Sequence, residues 1–302
     1  MNLQFIIDGL LTGSMIGLGA IGVTLTYSIL RFSNFAHGDF MAWGTYATLA
    51  VVSAIGAMFG KFAPIGSLSF GWPLIAAVIL GCVFTGLMAL TLDVVLFARL
   101  RAKGQSIIVV MASFGASMAL RSLLEFIFSS RPAYFSKAIQ MAMPVGLGIR
   151  ITPDQIALLL LTAVLVAATH LLMTRTQIGR SMQAVSQNAA LARVVGIDVA
   201  KVIRVTWVLG GALACIAGVM IGILVQIRPL MGFDMLLPMF AAAILGGIGS
   251  VPGAVLGGLI IGLAEAGAVQ LIGAEWRAAV SFIILMAVLF VRPIGLFGVR
   301  ER

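Results

Sequence analysis

The residues of this chain that could do chemistry are few and stand in apolar company. Residues 31–46, RFSNFAHGDFMAWGTY, set Arg31, Ser33, Asn34, His37 and Asp39 between two long apolar runs. In a later run, Ser113, Ser117, Arg121 and Glu125 recur in steps of four, which on a helix makes one slowly drifting polar stripe. Glu265 lies inside another run, on the helical face shared by Ala254, Gly258 and Gly262, and so points into whatever packs there. An ionisable group in such a setting costs a few kcal/mol unless it is paired or hydrated. Arg121 and Glu125 are spaced to pair at i, i+4. The Ser113–Ser117–Arg121 stripe reads either as the polar lining of a hydrated path or as a stripe paired internally and buried against a neighbour. Asn34 and His37 suit hydrogen bonds to the ends of neighbouring helices, fixing a tight break in which Gly38 permits the turn.

Enzyme chemistry finds no such footing. There is no HExxH, no GxSxG and no GxxxxGK(S/T). His37 and His170 stand apart from any partner in sequence, and Cys82 and Cys215 both fall inside apolar runs, which argues for packing rather than for a disulfide or a metal. No cofactor is expected in this chain, and any ATP must be bound by another subunit.

The elements that position these residues must live in lipid. Of 302 residues, 61% are hydrophobic and 10% charged, with a mean hydropathy of +1.16, too few charges to cover a soluble surface of this size. A span needs about 20 apolar residues to cross roughly 30 Å of hydrocarbon. The runs are continuous rather than alternating, so they read as helices. Nine stand out, near 8–30, 38–59, 72–98, 105–129, 155–174, 205–227, 235–248, 253–272 and 277–292. The seventh is short, carries Pro238 and ends Gly-rich, so a broken or re-entrant helix is expected near 235–250. The expectation is an all-α polytopic membrane protein of about eight to nine transmembrane helices in one domain, 1–302. Small residues at helical spacing, such as Gly13, Gly17 and Ala20, or Gly211, Ala214, Gly218 and Gly222, predict close helix contacts.

The net charge of +9 sits at the ends of the runs and so speaks of topology rather than of nucleic acid. Arg31, the segments 99–103 and 174–204, and the tail hold 12 of the 19 basic residues, and alternation puts them on one side. That side is read as cytoplasmic, with the N-terminus outside and a Pro-containing external loop over 130–154. The N-terminal MNLQFIIDGL lacks the basic start of a signal peptide, so the first span is expected to be retained. Within 174–204, Met182, Val185, Ala189 and Ala192 repeat at helical spacing, predicting one amphipathic helix that lies on lipid headgroups or docks a cytoplasmic partner.

Four stretches carry a resemblance. NFAHGDFMAWGTY (34–46), GRSMQAVSQNAALARVVGID (179–198), AAAILGGIGSVPGAVLGGLIIGLAEA (241–266) and RPIGLFG (292–298) resemble, in order, motifs of branched-chain amino acid ABC-importer permeases of the LivH type. LDVVLFARLRAKG departs from the family pattern, with Asp93 where Glu is frequent and no proline after it. The resemblance implies a permease subunit of a bacterial inner membrane, passive in itself. Two cytoplasmic ATP-binding subunits, a second related permease and a periplasmic solute-binding protein would be its partners. It makes 179–198 the ATPase-coupling segment, with Gly179, Arg180, Gln187, Asn188, Gly196 and Asp198 as coupling residues, Gly196 ending the helix and Asp198 restarting structure. Asn34, His37, Ser113, Ser117, Arg121 and Glu265 become candidates for the pathway or gate. The substrate class is branched-chain or related amino acids. Permeases for urea and amides share the resemblance, and a stand-alone transporter or channel using Glu265 as an ion site is the rival from another class.

Overall fold

The computed structural model describes residues 3–60, 63–104, 106–136, 140–146, 149–292 and 294–298. Arg300 and Arg302, counted above with the basic tail, lie outside them.

The chain folds as helices: α1 (Gln4–Leu30), α2 (His37–Phe59), α3 (Trp72–Leu92), α4 (Ala98–Arg101), α5 (Ser106–Phe128), α6 (Pro153–Arg175), α7 (Gln177–Gln187), α8 (Ala189–Val194), α9 (Val199–Leu224), α10 (Met231–Gly246), α11 (Val251–Leu271) and α12 (Arg277–Val291). A π-helical turn, Asp93–Phe97, joins α3 to α4, and Asp93 pairs with Arg101 at 2.7 Å. Among the described residues, eight stretches are long and apolar enough to cross a membrane, and α10 is a shorter apolar helix beside them. At 16 residues α10 spans about 24 Å, less than the hydrocarbon thickness. Helix α10 is continuous through Pro238, and the interruption expected near 235–250 falls after it, at 247–250. Proline there removes only the bond to the Asp234 carbonyl, and the irregular backbone follows the C-terminal end of the helix, where Gly247 and Gly249 take positive φ. Helix α9 begins six residues before its hydropathic signal. The Asp198 side chain caps it by accepting from the Lys201 N–H at 3.0 Å, and Lys201 and Arg204 hide that first turn from a hydropathy reading.

Small residues decide the packing. Helices α1 and α11 run antiparallel with their backbones almost touching. A Cβ built on Gly258 would lie 2.5 Å from the Gly17 Cα, and one on Gly13 would lie 2.7 Å from the Leu259 Cα. Without a hydrophobic force between helices in lipid, such close approach supplies the van der Waals contact that holds them together. Helix α9 packs on α1, α2 and α3 in the same way, with Gly211 against the Thr85–Gly86 backbone and Gly218 against Met41. The outer helices keep apolar side chains on the outside, as with Phe126 on α5 and Phe290 on α12.

The two ends of the bundle differ. At one, Gln4 exchanges hydrogen bonds with the Arg150 backbone on a β-hairpin, β1 (Met143–Gly146) with β2 (Ile149–Ile151), inside the segment read as a loop. Asp154, in the first turn of α6, accepts from the Ser69 N–H at 3.0 Å and from Gln140 Nε2 at 2.9 Å, tying three segments together there. At the other end, Arg31 donates to the Ser186 carbonyl on α7, Phe32 meets Phe97 beside α4, and the Leu296 and Phe297 amides bond to the end of α10. Arg31, the turn after α3, α7–α8 and residues 294–298 therefore share one end of the bundle.

Candidate functional site

The polar knot of residues 31–39 is a return of the chain into the bundle. Arg31 makes the turn with φ 58°, its N–H bonding the Tyr27 carbonyl as a left-handed cap of α1. Gly38 does not: it lies within α2 with ordinary helical φ and is needed for approach, because a Cβ there would lie 2.8 Å from the Gly232 carbonyl carbon on α10. Asn34 is buried, and its Oδ1 accepts from the Ala36 N–H at 3.1 Å, a local turn rather than a bond to a neighbouring helix end. His37 is also buried. Its Nε2 lies 3.2 Å from the Gly19 carbonyl, so it grips the body of α1 instead of a helix terminus. Gly22 leaves room for the ring.

The stripe on α5 faces this knot. Ser113 Oγ accepts from the Phe35 N–H at 3.1 Å and donates to the Val110 carbonyl at 2.7 Å. The Ser117 hydroxyl donates to the Asp39 carboxylate. Arg121 lies 3.4 Å from Asp39 Oδ1 and 3.2 Å from Ser117 Oγ, and its guanidinium stands 4.2 Å over the Phe233 ring. The expected Arg121–Glu125 pair does not form. The knot delivers a buried carboxylate to Arg121, and a buried charge with a partner in reach outcompetes a pair along the helix surface. Sequence reading named Asp39 in the polar knot and Ser117 and Arg121 on the stripe, but gave Asp39 no role and did not join it to them.

Glu265, almost fully buried, accepts from Arg277 Nε at 2.8 Å and from the Ser281 hydroxyl, while Arg277 Nη2 reaches Thr12 Oγ1 at 3.2 Å. This cluster borders a cavity of about 610 Å3 lined by Phe35, Phe114, Phe233, Phe240 and the α10 residues Met235–Pro238. Its charges are the pair Arg228–Asp234, 2.8 Å apart, together with Glu265, Glu275 and Arg277. The cavity thus has apolar walls and both signs of charge. Sequence analysis missed Arg228, Asp234, Glu275 and Arg277 because each sits at the end of an apolar run, where a charge reads only as a topology marker, and Phe233 because an aromatic residue in such a run reads only as lipid-facing or packed. Among the described residues no cluster of His, Cys, Asp and Glu is placed to hold a metal ion.

The segment 177–198 is two helices rather than one. Asn188 leaves helical geometry and caps α8, its Oδ1 accepting from the Ala190 and Leu191 amides at 3.0 Å each. Gly179 is buried in the α6–α7 elbow, its N–H on Thr176 Oγ1 at 3.1 Å, and Gly196 ends α8 with φ +85°. Arg180, Gln187 and Asp198 are exposed. Met182, Val185 and Ala192 turn inward onto the chain's own bundle, so the periodic stripe is available to neither lipid nor a partner. The outward apolar surface comes instead from Leu191, Val194 and Val195, which are 61%, 82% and 68% exposed.

The family model "Branched-chain amino acid transport system / permease component" matches residues 5–289. The chain is 32% identical over 305 residues to the high-affinity branched-chain amino acid transport system permease protein LivH of Escherichia coli K12, covering 99% of this chain and 96% of that one. It is 31% identical over 308 residues to the corresponding BraD protein of Pseudomonas aeruginosa, with the same coverage. Among solved structures, PsaBC from Streptococcus pneumoniae in complex with Fab superposes with a TM-score of 0.49 and 16% identity, covering 96% of this chain and 93% of that one. With its multi-pass apolar helices and a family match along nearly its whole length, the chain belongs to the branched-chain amino acid transport permease family.

Proposed function

We propose that this chain is the membrane-embedded permease subunit of a binding-protein-dependent importer that carries branched-chain or related apolar amino acids across a bacterial inner membrane. The observation that carries the reading is the full-length likeness to permease components of branched-chain amino acid transport. The cavity on α10 supports it. Aromatic and aliphatic walls with both signs of charge suit a small zwitterion bearing an apolar side chain. A free carboxylate for ion coupling, which a stand-alone transporter would need, has less support, because Glu265 is held by Arg277 and Ser281.

The chain is a single transmembrane domain with no catalysis of its own and no cofactor. The energy comes from ATP hydrolysed on two cytoplasmic subunits, a second related permease completes the path, and a periplasmic solute-binding protein delivers the ligand. The excess of Lys and Arg sets the N-terminus outside and α7–α8 with the C-terminus in the cytoplasm. Residues 179–198 then meet the ATPase. Leu191, Val194 and Val195 fill its cleft, Arg180, Gln187 and Asp198 rim the contact, and Gly179, Asn188 and Gly196 fix the angles of the two short helices.

Purification of the tagged chain from native membranes in gentle detergent, with its partners identified by mass spectrometry, tests the reading. A stoichiometric ATP-binding subunit and ATP-dependent leucine uptake after reconstitution are expected. A chain that purifies alone and moves solute without ATP overturns it.

A further inference from the structure

The charges of the α10 cavity are not equivalent. Arg228 and Asp234 pair with each other at 2.8 Å, both side chains more than two-fifths exposed and neither anchored by a buried group. Arg277 has Nε on Glu265 and Nη2 on Thr12, yet its side chain is 42% exposed and borders the cavity. A guanidinium carries five N–H donors in a rigid fork, so donors remain for a carboxylate. Arg277 is also the first residue of α12, where the positive end of the helix dipole disfavours a cation. The bundle nonetheless commits a buried carboxylate, Glu265, and the Ser281 hydroxyl to holding this corner. Glu275, two residues earlier on the 3-10 turn Ala274–Trp276, also lines the cavity, is exposed and makes no ion pair among the described residues. One short turn therefore presents a cation and an unpaired anion to a cavity whose other walls are Phe35, Phe114, Phe233 and Phe240.

We propose that Arg277 and Glu275 are the polar anchors of the transported amino acid. The open edge of the Arg277 guanidinium takes the carboxylate, Glu275 takes the ammonium group, and the aromatic wall takes the apolar side chain. Glu265 is a positioning residue that fixes the guanidinium plane. The inference rests on the reading of the chain as an amino acid permease and deepens it: a neutral amide or urea satisfies neither anchor as a charge.

The test uses the complete transporter with its partner subunits and binding protein in proteoliposomes. Leucine uptake is the readout, and subunit composition and ATP hydrolysis are the controls. Arg277→Gln is expected to lower uptake at least about tenfold with the complex intact and ATP hydrolysis retained. The double variant Glu265→Gln with Arg277→Gln removes the buried charge together with its partner, and uptake is expected to stay low. Recovery in the double variant would mean that the pair is only structural and would overturn the proposal. Where the neutral variants fail to assemble, Arg277→Lys decides: it keeps the cation and its partner but loses the fork, so uptake should fall several-fold, and wild-type uptake overturns the proposal. Glu275→Gln should lower uptake by a comparable factor, and no change there overturns the ammonium assignment. A wild-type complex that takes up no branched-chain amino acid fails the functional reading itself, a result distinct from any pattern among the variants.

Discussion

Asp39 and Arg121 lie 82 residues apart in the chain, and their side chains meet at 3.4 Å across α2 and α5. Asp39 is almost wholly buried, so removing one partner leaves an uncompensated charge, which costs about 3–5 kcal/mol. Arg121→Ala is therefore expected to lower the thermal stability of the detergent-purified complex sharply. Asp39→Asn combined with Arg121→Gln should recover much of that loss, because no charge is then left unpaired. Equal losses in the single and double variants, followed by fluorescence-detected size exclusion after heating, would contradict the pairing.

His37 tests the knot from the other side. His37→Ala removes the bond to the Gly19 carbonyl and opens a void against Gly22. The expected cost is about 1–3 kcal/mol, read in the same thermal assay. Uptake should fall as well, because α2 begins at this residue and carries Asp39 two residues on. Unchanged expression and unchanged uptake together would remove His37 from both structural and functional roles.

The glycines divide into two kinds, which predicts opposite outcomes for the same change. Gly258→Ala puts a methyl group 2.5 Å from the Gly17 Cα, where both sides are backbone and neither can yield, so folded protein should largely disappear from the membrane. Gly115→Ala on α5 meets open space, so it should be neutral or stabilising by up to about 1 kcal/mol. Membrane yields measured side by side decide the matter.

The surface of α8 gives a prediction about assembly. Val194→Asp changes an exposed residue and should leave the thermal stability of the purified permease within about 0.5 kcal/mol of the wild type. If this face seats in the ATPase, the variant should lose the ATP-binding subunit during purification. Retention of that subunit in full stoichiometry would direct attention to another surface.

Hydropathy revealed the spans because lipid demands long apolar runs, and it failed where polar residues begin a helix, as at Lys201 and Arg204 on α9. The small-residue faces of α1, α9 and α11 were legible for a similar reason: spacing on a helix dictates which side chains share a side. Partner choice was not legible. Arg121 had a candidate four residues away in Glu125 and found a better one in Asp39, which only the return of the chain at Arg31 brings near. The stripe of Met182, Val185 and Ala192 was correctly read as apolar and misjudged in direction, because periodicity gives a face but not what that face meets. The cavity was hidden for a third reason. Its residues come from the turn before α2, from α5, from α10 and the loop before it, from α11 and from the turn into α12, and converge only in space.

Gly38 and Gly232 bring α2 and α10 together with no side chain between them. Most helix pairs interlock through ridges and grooves, so that turning one on the other must lift knobs out of holes. At a bare point of contact nothing is lifted, and the two rods can rock there as on a bearing. Asp39 sits one residue beyond this fulcrum and Phe233 one residue beyond it on the opposite rod, with Arg121 touching both. A few degrees of tilt at the fulcrum would therefore shear the guanidinium between its carboxylate and its aromatic ring, and those two contacts resist it.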